Sequence, residues 1–246
     1  MLRSTLAGSG ERTGPAAFRR RGTEVSRIEA LSDAVIGFAI TLIVVTLDVP
    51  ATFAGLMSAM RGSLAFGVCF ALLALVWYRH YVFFRRYGLS DRTTIVLNGV
   101  LLFTILLYVF PLKFLFTLVL GGTVGGGRRP TIEFHEIPSL FTVYGAGFIA
   151  VFSSFAALYI HAWRKRAALE LTAVERFDTQ WAIVDNLLYV AVGALSVAIA
   201  NFAPVGYLHL SGWCYALLGV TGFTHGLIGG IVRGRVVRLA QRDVPA

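Results

Sequence analysis

Apolar and polar positions alternate in long blocks along the 246-residue chain, and six of the apolar blocks have the length of a membrane-spanning helix. A helix needs about 20 mostly apolar residues to cross the hydrocarbon core of a bilayer. The pattern predicts an all-α integral membrane protein with six transmembrane helices per subunit and both termini in the cytoplasm. The blocks cover residues 27–48, 62–86, 92–119, 139–162, 178–202 and 207–232.

Both ends of the chain are polar and basic. Residues 1–24 are rich in Gly, Ser, Thr and Arg, which is typical of a disordered cytoplasmic tail. A secretory signal is the rival interpretation, but the apolar block that follows is too long for one. We expect the six-helix domain to cover residues 25–233 and a second basic cytoplasmic tail to cover residues 234–246.

The first apolar block contains Asp33 about a third of the way along its length. A carboxylate at membrane depth is costly, so it is expected to face a bundle interior, a partner or water. At about 100° per residue, the helix also has one apolar stripe with a hydroxyl at its border. The stripe consists of Phe38, Leu42 and Val45, and Thr41 provides the hydroxyl. Such a stripe suits a pore lining, and it also suits ordinary packing against neighbouring helices or lipid.

Composition supports a membrane protein. Hydrophobic residues make up 57% of the chain and charged residues 14%, and the mean hydropathy of +0.73 lies outside the range of an ordinary soluble domain. The formal net charge of +9 comes without an aromatic-interleaved basic groove, so a nucleic-acid partner is not expected. Most of the 22 basic residues fall on one predicted side of the membrane, which fixes orientation and favours contact with anionic lipid headgroups. The exceptions are Arg61, Lys113, Arg128 and Arg129.

The first block carries a recognisable signature. Arg27, Leu31, Ser32 and Asp33 resemble the Arg-x-x-x-Phe-Ser-Asp motif of the transmembrane-protein-175 family of potassium channels, with Leu31 in place of Phe. The Thr-Leu pair eight residues after the Asp also matches. An Arg and a Ser-Asp pair are rarely found together inside a spanning segment, so this motif is fairly specific.

Later residues extend the resemblance from residue 24 to residue 115. Trp77 and His80 resemble the family's Trp-x-x-His at the end of the second helix, and Asn98 and Pro111 resemble its Asn and Pro in the third. By resemblance, Arg27, Ser32 and Asp33 form a structural polar cluster with groups on these two helices. The candidate partners are Trp77, His80 and Asn98.

The resemblance implies a homotetramer in which the first helix of each subunit lines a central pore. It also implies a filter of apolar side-chain rings, with Phe38 at the narrowest ring, further rings of Leu42 and Val45, and the Thr41 hydroxyls beside them. The family usually has Ile or Leu where this chain has Phe38. Four phenyl rings would either occlude the pore or offer their faces to a cation.

The sequence therefore predicts a potassium-permeable cation channel of the cell membrane that conducts passively. Permeant K+ is its only expected ligand, and no cofactor is predicted. Two alternatives stay open: a proton-coupled secondary transporter using Asp33, Asp185 or His80 as proton sites, and a non-conducting membrane scaffold in which Phe38 closes the pore.

Catalytic and metal chemistry are not predicted. An enzyme needs convergent catalytic groups at one depth, whereas the His, Asp and Glu residues of this chain are scattered over six helices and both sides. Cys69 and Cys214 lie far apart inside apolar blocks. The polar loop at residues 121–138 contains Glu133, His135 and Glu136, but their spacing is poor for metal ligation.

Overall fold

The computed structural model describes residues 18–45, 51–61, 63–120 and 131–242. Within these ranges the chain is helical and contains no β-strand. The eight α-helices of these ranges are α1 (Arg27–Val45), α2 (Phe53–Arg61), α3 (Ser63–Tyr87), α4 (Arg92–Leu120), α5 (Ile137–Arg164), α6 (Ala173–Phe202), α7 (Leu210–Trp213) and α8 (Leu217–Arg242). Single 3-10 turns lie at Phe134–Glu136, Val205–Tyr207 and Cys214–Ala216.

Five helical segments of the described ranges are long and apolar enough to cross a bilayer. They are Ser63–Tyr87, Arg92–Leu120, Phe134–Arg164, Ala173–Phe202 and Leu210–Leu239. The first helix, α1, has 19 residues, and residues 46–48 of its predicted span lie outside the described ranges. The prediction of an all-α protein with several membrane-spanning helices is confirmed for the described residues.

The ends of two predicted spans differ from the structure. The last span, predicted over 207–232, is divided by a 3-10 turn into α7 and α8, and α8 continues to Arg242 through most of the segment assigned to a basic tail. Arg, Leu, Ala and Gln in that segment are good helix formers, and basic residues near a helix C-terminus are stabilised by the helix dipole. The short helix α2, which precedes α3, was not predicted.

Residues 18–24 were assigned to a disordered tail, but the structure places them against the helices. The Phe18 ring packs edge-on against Tyr87 with 5.5 Å between centroids, and the Arg21 guanidinium lies 2.8 Å from the Glu175 carboxylate. These contacts offset the entropy lost on ordering the segment. Residues 1–17 lie outside the described ranges.

The pair α5 and α6 forms the most extensive helix contact, and glycines let the two backbones approach closely. A Cβ atom at Gly145 would lie 2.5 Å from Val197 Cγ2, and one at Gly193 would lie 2.9 Å from Ile149 Cγ1. Small residues at helix crossings are typical of membrane bundles. Helix α4 packs on α5, α8 packs on α6, and α1 packs on α3 and α4.

A polar cluster ties the start of α4 to the end of α5. The Asp91 carboxylate accepts hydrogen bonds from Thr94 Oγ1 at 2.6 Å and from His161 Nε2 at 3.0 Å, and Lys165 Nζ lies 3.3 Å away. Partial burial alone raises the pKa of the Asp91 carboxyl, but these three partners outweigh it and hold the pKa well below its usual range.

Replacing Asp91 with Asn is expected to lower the melting temperature at neutral pH, because the folded state stabilises the carboxylate form. Since the folded pKa is depressed, this stabilisation is fully present above the unfolded pKa of about 4 and is lost as the pH falls through the folded value. Thermal unfolding in detergent should show a gap between the natural protein and Asp91→Asn that narrows in acid. An equal gap at neutral and acidic pH would contradict this.

Candidate ion pathway along the first helix

Helix α1 has one buried face and one open face in the single chain. The buried residues are Glu29, Ser32, Ile36, Ala39 and Ile43, each at most 8% exposed. They recur every three or four residues and therefore form one continuous line along the helix. On the opposite side, Leu31 is 60% exposed and Phe38 is 59% exposed. This open face is apolar and has no partner among the described residues of the same chain.

Two of the four predicted filter residues lie on the open face. Phe38 and Thr41 are exposed there, and the Thr41 hydroxyl donates to the Phe38 carbonyl at 2.8 Å. Leu42 is half-buried at the edge of this face, and the assignment of Thr41 and Leu42 to a pore lining stays a prediction. The advance of about 100° per residue fixes the angles between side chains but not the direction that faces the neighbouring helices. The side chain of Val45 lies outside the described part of the structure.

A buried chain of hydrogen bonds joins α1 to α3 and α4. His80 Nε2 donates to Asn98 Oδ1 at 2.9 Å, Asn98 Nδ2 donates to Ser32 Oγ at 2.9 Å, and the Ser32 hydroxyl donates to the Ile28 carbonyl at 2.7 Å. Ser32, His80 and Asn98 are each at most 2% exposed. Each polar group in this chain therefore has a partner without water.

A second bond lies beside this chain. Trp77 Nε1 donates to Asp33 Oδ1 at 2.8 Å, so the carboxylate in the first span is held by α3. Arg27 is exposed, and no hydrogen bond or ion pair links it to another described residue. The structure thus brings together five of the six predicted cluster residues and leaves Arg27 apart. We call these five the polar anchor: Ser32, Asp33, Trp77, His80 and Asn98.

The polar anchor fixes the rotation of α1 about its own axis. Its bonds connect three helices from the buried side and the flank, and they turn Phe38 and Thr41 away from α3 and α4. Ser32, His80 and Asn98 are buried and bonded within the protein, which leaves these three side chains poorly suited to coordinate a permeating ion. Bonds of this kind between membrane helices contribute about 0.6 to 2 kcal/mol each.

Asn98 is the central residue of the anchor, because it accepts from one helix and donates to another. Replacing Asn98 with Ala removes the acceptor of His80 Nε2 and the donor to Ser32 Oγ in a buried site, and the unfolding free energy should fall by about 1 to 3 kcal/mol. Chemical or thermal denaturation in detergent measures the change. The matched control is Asn201→Ala, since Asn201 is exposed although it donates to Thr142 and Val197. Similar losses in the two variants would contradict the anchor's role.

The start of α1 is held by a capping box that sequence reasoning missed. Ser26 N donates to Glu29 Oε2 at 2.8 Å, and Glu29 N donates to Ser26 Oγ at 3.2 Å. A Ser-x-x-Glu spacing before an apolar run is a known signal for a helix start. This signal was available in the sequence and locates the N-terminal end of the helix.

A lysine contacts the far end of α1. Lys113 Nζ, on α4, donates to the Ile43 carbonyl at 3.1 Å. A cation near a helix C-terminus is stabilised by the helix dipole. A lone lysine inside an apolar block is the signal that could have identified this contact, but sequence reasoning counted Lys113 only among the basic residues outside the cytoplasmic loops.

A separate polar network links α3, α6 and α8. Arg79 Nη2 lies 3.0 Å from Asp185 Oδ2 and donates to the Tyr189 hydroxyl at 3.0 Å. His225 Nδ1 lies 3.6 Å from Asp185 Oδ1, and its ring stacks on Trp181 with 4.2 Å between centroids. Asp185, a candidate proton site of the transporter alternative, is therefore paired with a permanent cation.

Among the described residues, no group of three or more His, Cys, Asp and Glu side chains could hold a metal ion. His135 and Glu133 approach to 3.4 Å at the surface, and Glu136 caps the same short turn. Cys69 and Cys214 are separate, buried free thiols.

Comparison with known proteins places these features in context. A family model described as "Endosomal/lysosomal potassium channel TMEM175" matches residues 27–108. A potassium channel of Marivirga tractuosa is 40% identical over 211 residues, which cover 81% of this chain and 85% of the relative. The family match includes all six residues of the predicted polar cluster.

Two solved structures share the fold. A crystal structure of the potassium channel MtTMEM175, a threonine-to-alanine variant in complex with a nanobody–MBP fusion protein, matches with a TM-score of 0.75 at 37% identity, over 87% of this chain and 97% of that chain. A homologue, from Chamaesiphon minutus, of the lysosomal potassium-selective channel TMEM175 matches with a TM-score of 0.55 at 24% identity, over 81% of this chain and 96% of that chain. The second likeness concerns the fold alone.

Proposed function

The chain belongs to the TMEM175 family of potassium channels, and we propose that it is a multi-pass membrane channel whose potassium pathway runs along the open face of α1. One observation carries this proposal: α1 is anchored by hydrogen bonds on one side while Phe38 and Thr41 stay open on the other. A pore lining needs both a fixed orientation and a free surface.

The pore forms between subunits. A single open face cannot enclose an ion pathway, so several copies of α1 must meet, and a homotetramer brings four of them around one axis. The exposed side chains of Leu31 and Phe38 would then be covered by the neighbouring copies. Each subunit contributes six spans, with α1 as the first.

The basic ends of the helices lie on the cytoplasmic side. Arg21 contacts Glu175 at the start of α6, Arg85 donates to the Gly22 carbonyl, and Arg233 pairs with Asp178. The chain's N-terminal segment, the end of α3, the start of α6 and the end of α8 therefore meet at one end of the bundle. This clustering supports a positive-inside orientation with both termini in the cytoplasm and with anionic lipid headgroups as neighbours.

Selectivity arises from side-chain rings. An apolar ring gates by dewetting and by the cost of removing water from the ion, and this cost is lower for K+ than for the more tightly hydrated Na+. Phe38 supplies the main ring and Thr41 the adjacent hydroxyls. Leu42, at the edge of the face, and Val45 belong to the neighbouring rings. Conduction is passive and uses no cofactor.

The side chains that a proton-coupled transporter would use are already engaged. Asp33 accepts from Trp77, His80 donates to Asn98, and Asp185 pairs with Arg79. These contacts favour structural roles for Asp33, His80 and Asp185 over proton transfer. A non-conducting scaffold would have the same polar anchor and differ only in that the Phe38 side chains close the pore. A measurement of K+ flux therefore decides between scaffold and channel.

The experiment is an ion-flux assay with the purified protein in liposomes. Outward K+ gradients should collapse faster than in protein-free liposomes, and K+ flux should exceed Na+ flux. Flux equal to that of empty liposomes would support the scaffold. Flux that depends on a proton gradient would support the transporter.

A further inference from the structure

A buried ion pair joins the segment before α1 to the start of α6. The Arg21 guanidinium contacts the Glu175 carboxylate at two points, with Nη2 to Oε2 at 2.8 Å and Nη1 to Oε1 at 3.1 Å. Glu175 is 2% exposed and the Arg21 side chain is 12% exposed. Two parallel bonds of this kind fix both distance and direction, which a single contact does not.

Glu175 is itself rigidly placed. Its carboxylate accepts from the backbone N–H of Thr172 at 3.0 Å, and its own N–H donates to the Thr172 hydroxyl at 3.3 Å, which makes a capping box at the start of α6. The Arg19 backbone N–H donates to the same carboxylate at 2.8 Å. The acceptor that holds Arg21 is therefore part of a helix terminus and not a mobile surface side chain.

The same segment is hydrogen-bonded to the end of α3. The backbone N–H groups of Arg21 and Gly22 both donate to the Arg85 carbonyl, at 3.2 and 3.3 Å, and Arg85 Nη1 donates back to the Gly22 carbonyl at 2.8 Å. A Cβ atom at Gly22 would lie 2.5 Å from the Phe84 carbonyl oxygen. Only glycine allows this approach. We call residues 18–24 the strap.

The strap lies close in sequence to α1. Gly22 is hydrogen-bonded to Arg85 on α3, and α1 begins at Arg27 after the capping residue Ser26. A chain spans at most about 3.6 Å per residue, so the connection from Gly22 to Arg27 keeps the strap within about 18 Å of the inner end of the helix. This connection is the covalent path by which movement of the strap reaches the start of α1.

We propose that the Arg21–Glu175 pair is a positioning device that sets the location of the inner end of α1, and with it the width of the cytoplasmic opening of the pore. This inference rests on the proposed function, because the opening is that of the channel. The polar anchor fixes the rotation of α1 from within the membrane, and the strap fixes its inner end from the cytoplasmic side. Removing one partner of the pair leaves an uncompensated charge, so the loss of either partner weakens the contact between the strap and α6, while the backbone bonds to α3 remain.

The test compares Arg21→Ala with Arg20→Ala. Arg20 is the exposed neighbour, so both variants remove one positive charge from the same segment, but only the first breaks the pair. A spin label at Ala30→Cys, on the exposed side of α1 near its inner end, reports distances between subunits. Both native thiols are buried and should not react with the label.

Arg21→Ala should broaden or shift the distance distribution and change K+ flux by about 2- to 30-fold, the usual range for residues that modulate a coupled site. Arg20→Ala should leave both readouts at their natural values. Arg21→Lys keeps the charge and a hydrogen-bond donor, so its label distances and its K+ flux should lie between those of Arg21→Ala and those of the natural protein. Indistinguishable distances and flux in Arg21→Ala and Arg20→Ala would overturn the inference.

A second variant covers the case in which Arg21→Ala fails to assemble. Glu175→Gln keeps the capping box, which accepts Gln as well as Glu, but removes the charge that holds Arg21. It should reproduce the altered distances, and unaltered distances would overturn the inference. If the natural protein carries no K+ flux, the proposed function fails, while the label distances still decide whether the strap positions α1.

Discussion

Replacing Phe38 with Ala is expected to raise cation flux and to reduce the preference for K+ over Na+. Phe38 is 59% exposed on the open face of α1, where the proposed pore has its narrowest apolar ring. Removing the phenyl groups widens the ring and lets hydrated ions pass, which helps Na+ more than K+. We expect the K+/Na+ flux ratio to fall about tenfold, equivalent to about 1.4 kcal/mol of lost discrimination.

The control for this variant is Phe103→Ala. Phe103 is 67% exposed on α4, so the substitution removes the same exposed side chain from a helix other than α1. Its flux ratio should match that of the natural protein. An unchanged ratio in Phe38→Ala, or an equal change in Phe103→Ala, would contradict the assignment of Phe38 to the filter.

Replacing Asp33 with Ala should disrupt assembly or gating more than selectivity. The change removes the acceptor of the Trp77 indole N–H and weakens the contact between α1 and α3. Bonds of this kind between membrane helices contribute about 0.6 to 2 kcal/mol each, which is enough to shift a marginal helix contact. Size-exclusion chromatography measures the assembled fraction, and flux through the remaining channels measures K+/Na+ preference.

Asp33→Asn is the matched comparison, since the amide oxygen still accepts from Trp77 while the charge is lost. We expect Asn to preserve most of the assembly that Ala loses, because the hydrogen bond positions the helix. Tetramers and currents from Asp33→Ala that match those of the natural protein would contradict this role. Equal losses in Ala and Asn variants would show that the charge, not the bond, is required.

The sequence pattern predicts the helical spans well because long apolar blocks leave few alternatives to membrane helices. It also predicts that Asp33 needs a partner, since an unpaired carboxylate at this depth is costly. The partner itself, Trp77, lies 44 residues away, and no local periodicity identifies it. The family motif supplied that candidate.

Two features escaped prediction for different physical reasons. The exposure of Thr41 and the partial burial of Leu42 follow from the rotation of α1, which depends on the tertiary bonds of the polar anchor and not on the helical period. The strap has the composition of a disordered tail, and its order comes from contacts with α3 and with Glu175, which is 154 residues from Arg21. A contact at that separation leaves no local signal in a single sequence.

The most direct test of the central claim, that the open face of α1 lines the potassium pathway, is block of K+ flux by Cd2+ in Thr41→Cys. Thiolates that meet in a narrow pore bind a soft divalent cation tightly, and both native thiols are buried. Thr224→Cys is the control, because Thr224 is exposed on α8. The account predicts that Cd2+ blocks K+ flux through Thr41→Cys and leaves Thr224→Cys and the natural protein conducting. Unblocked flux through Thr41→Cys, or equal block of both variants, would contradict it.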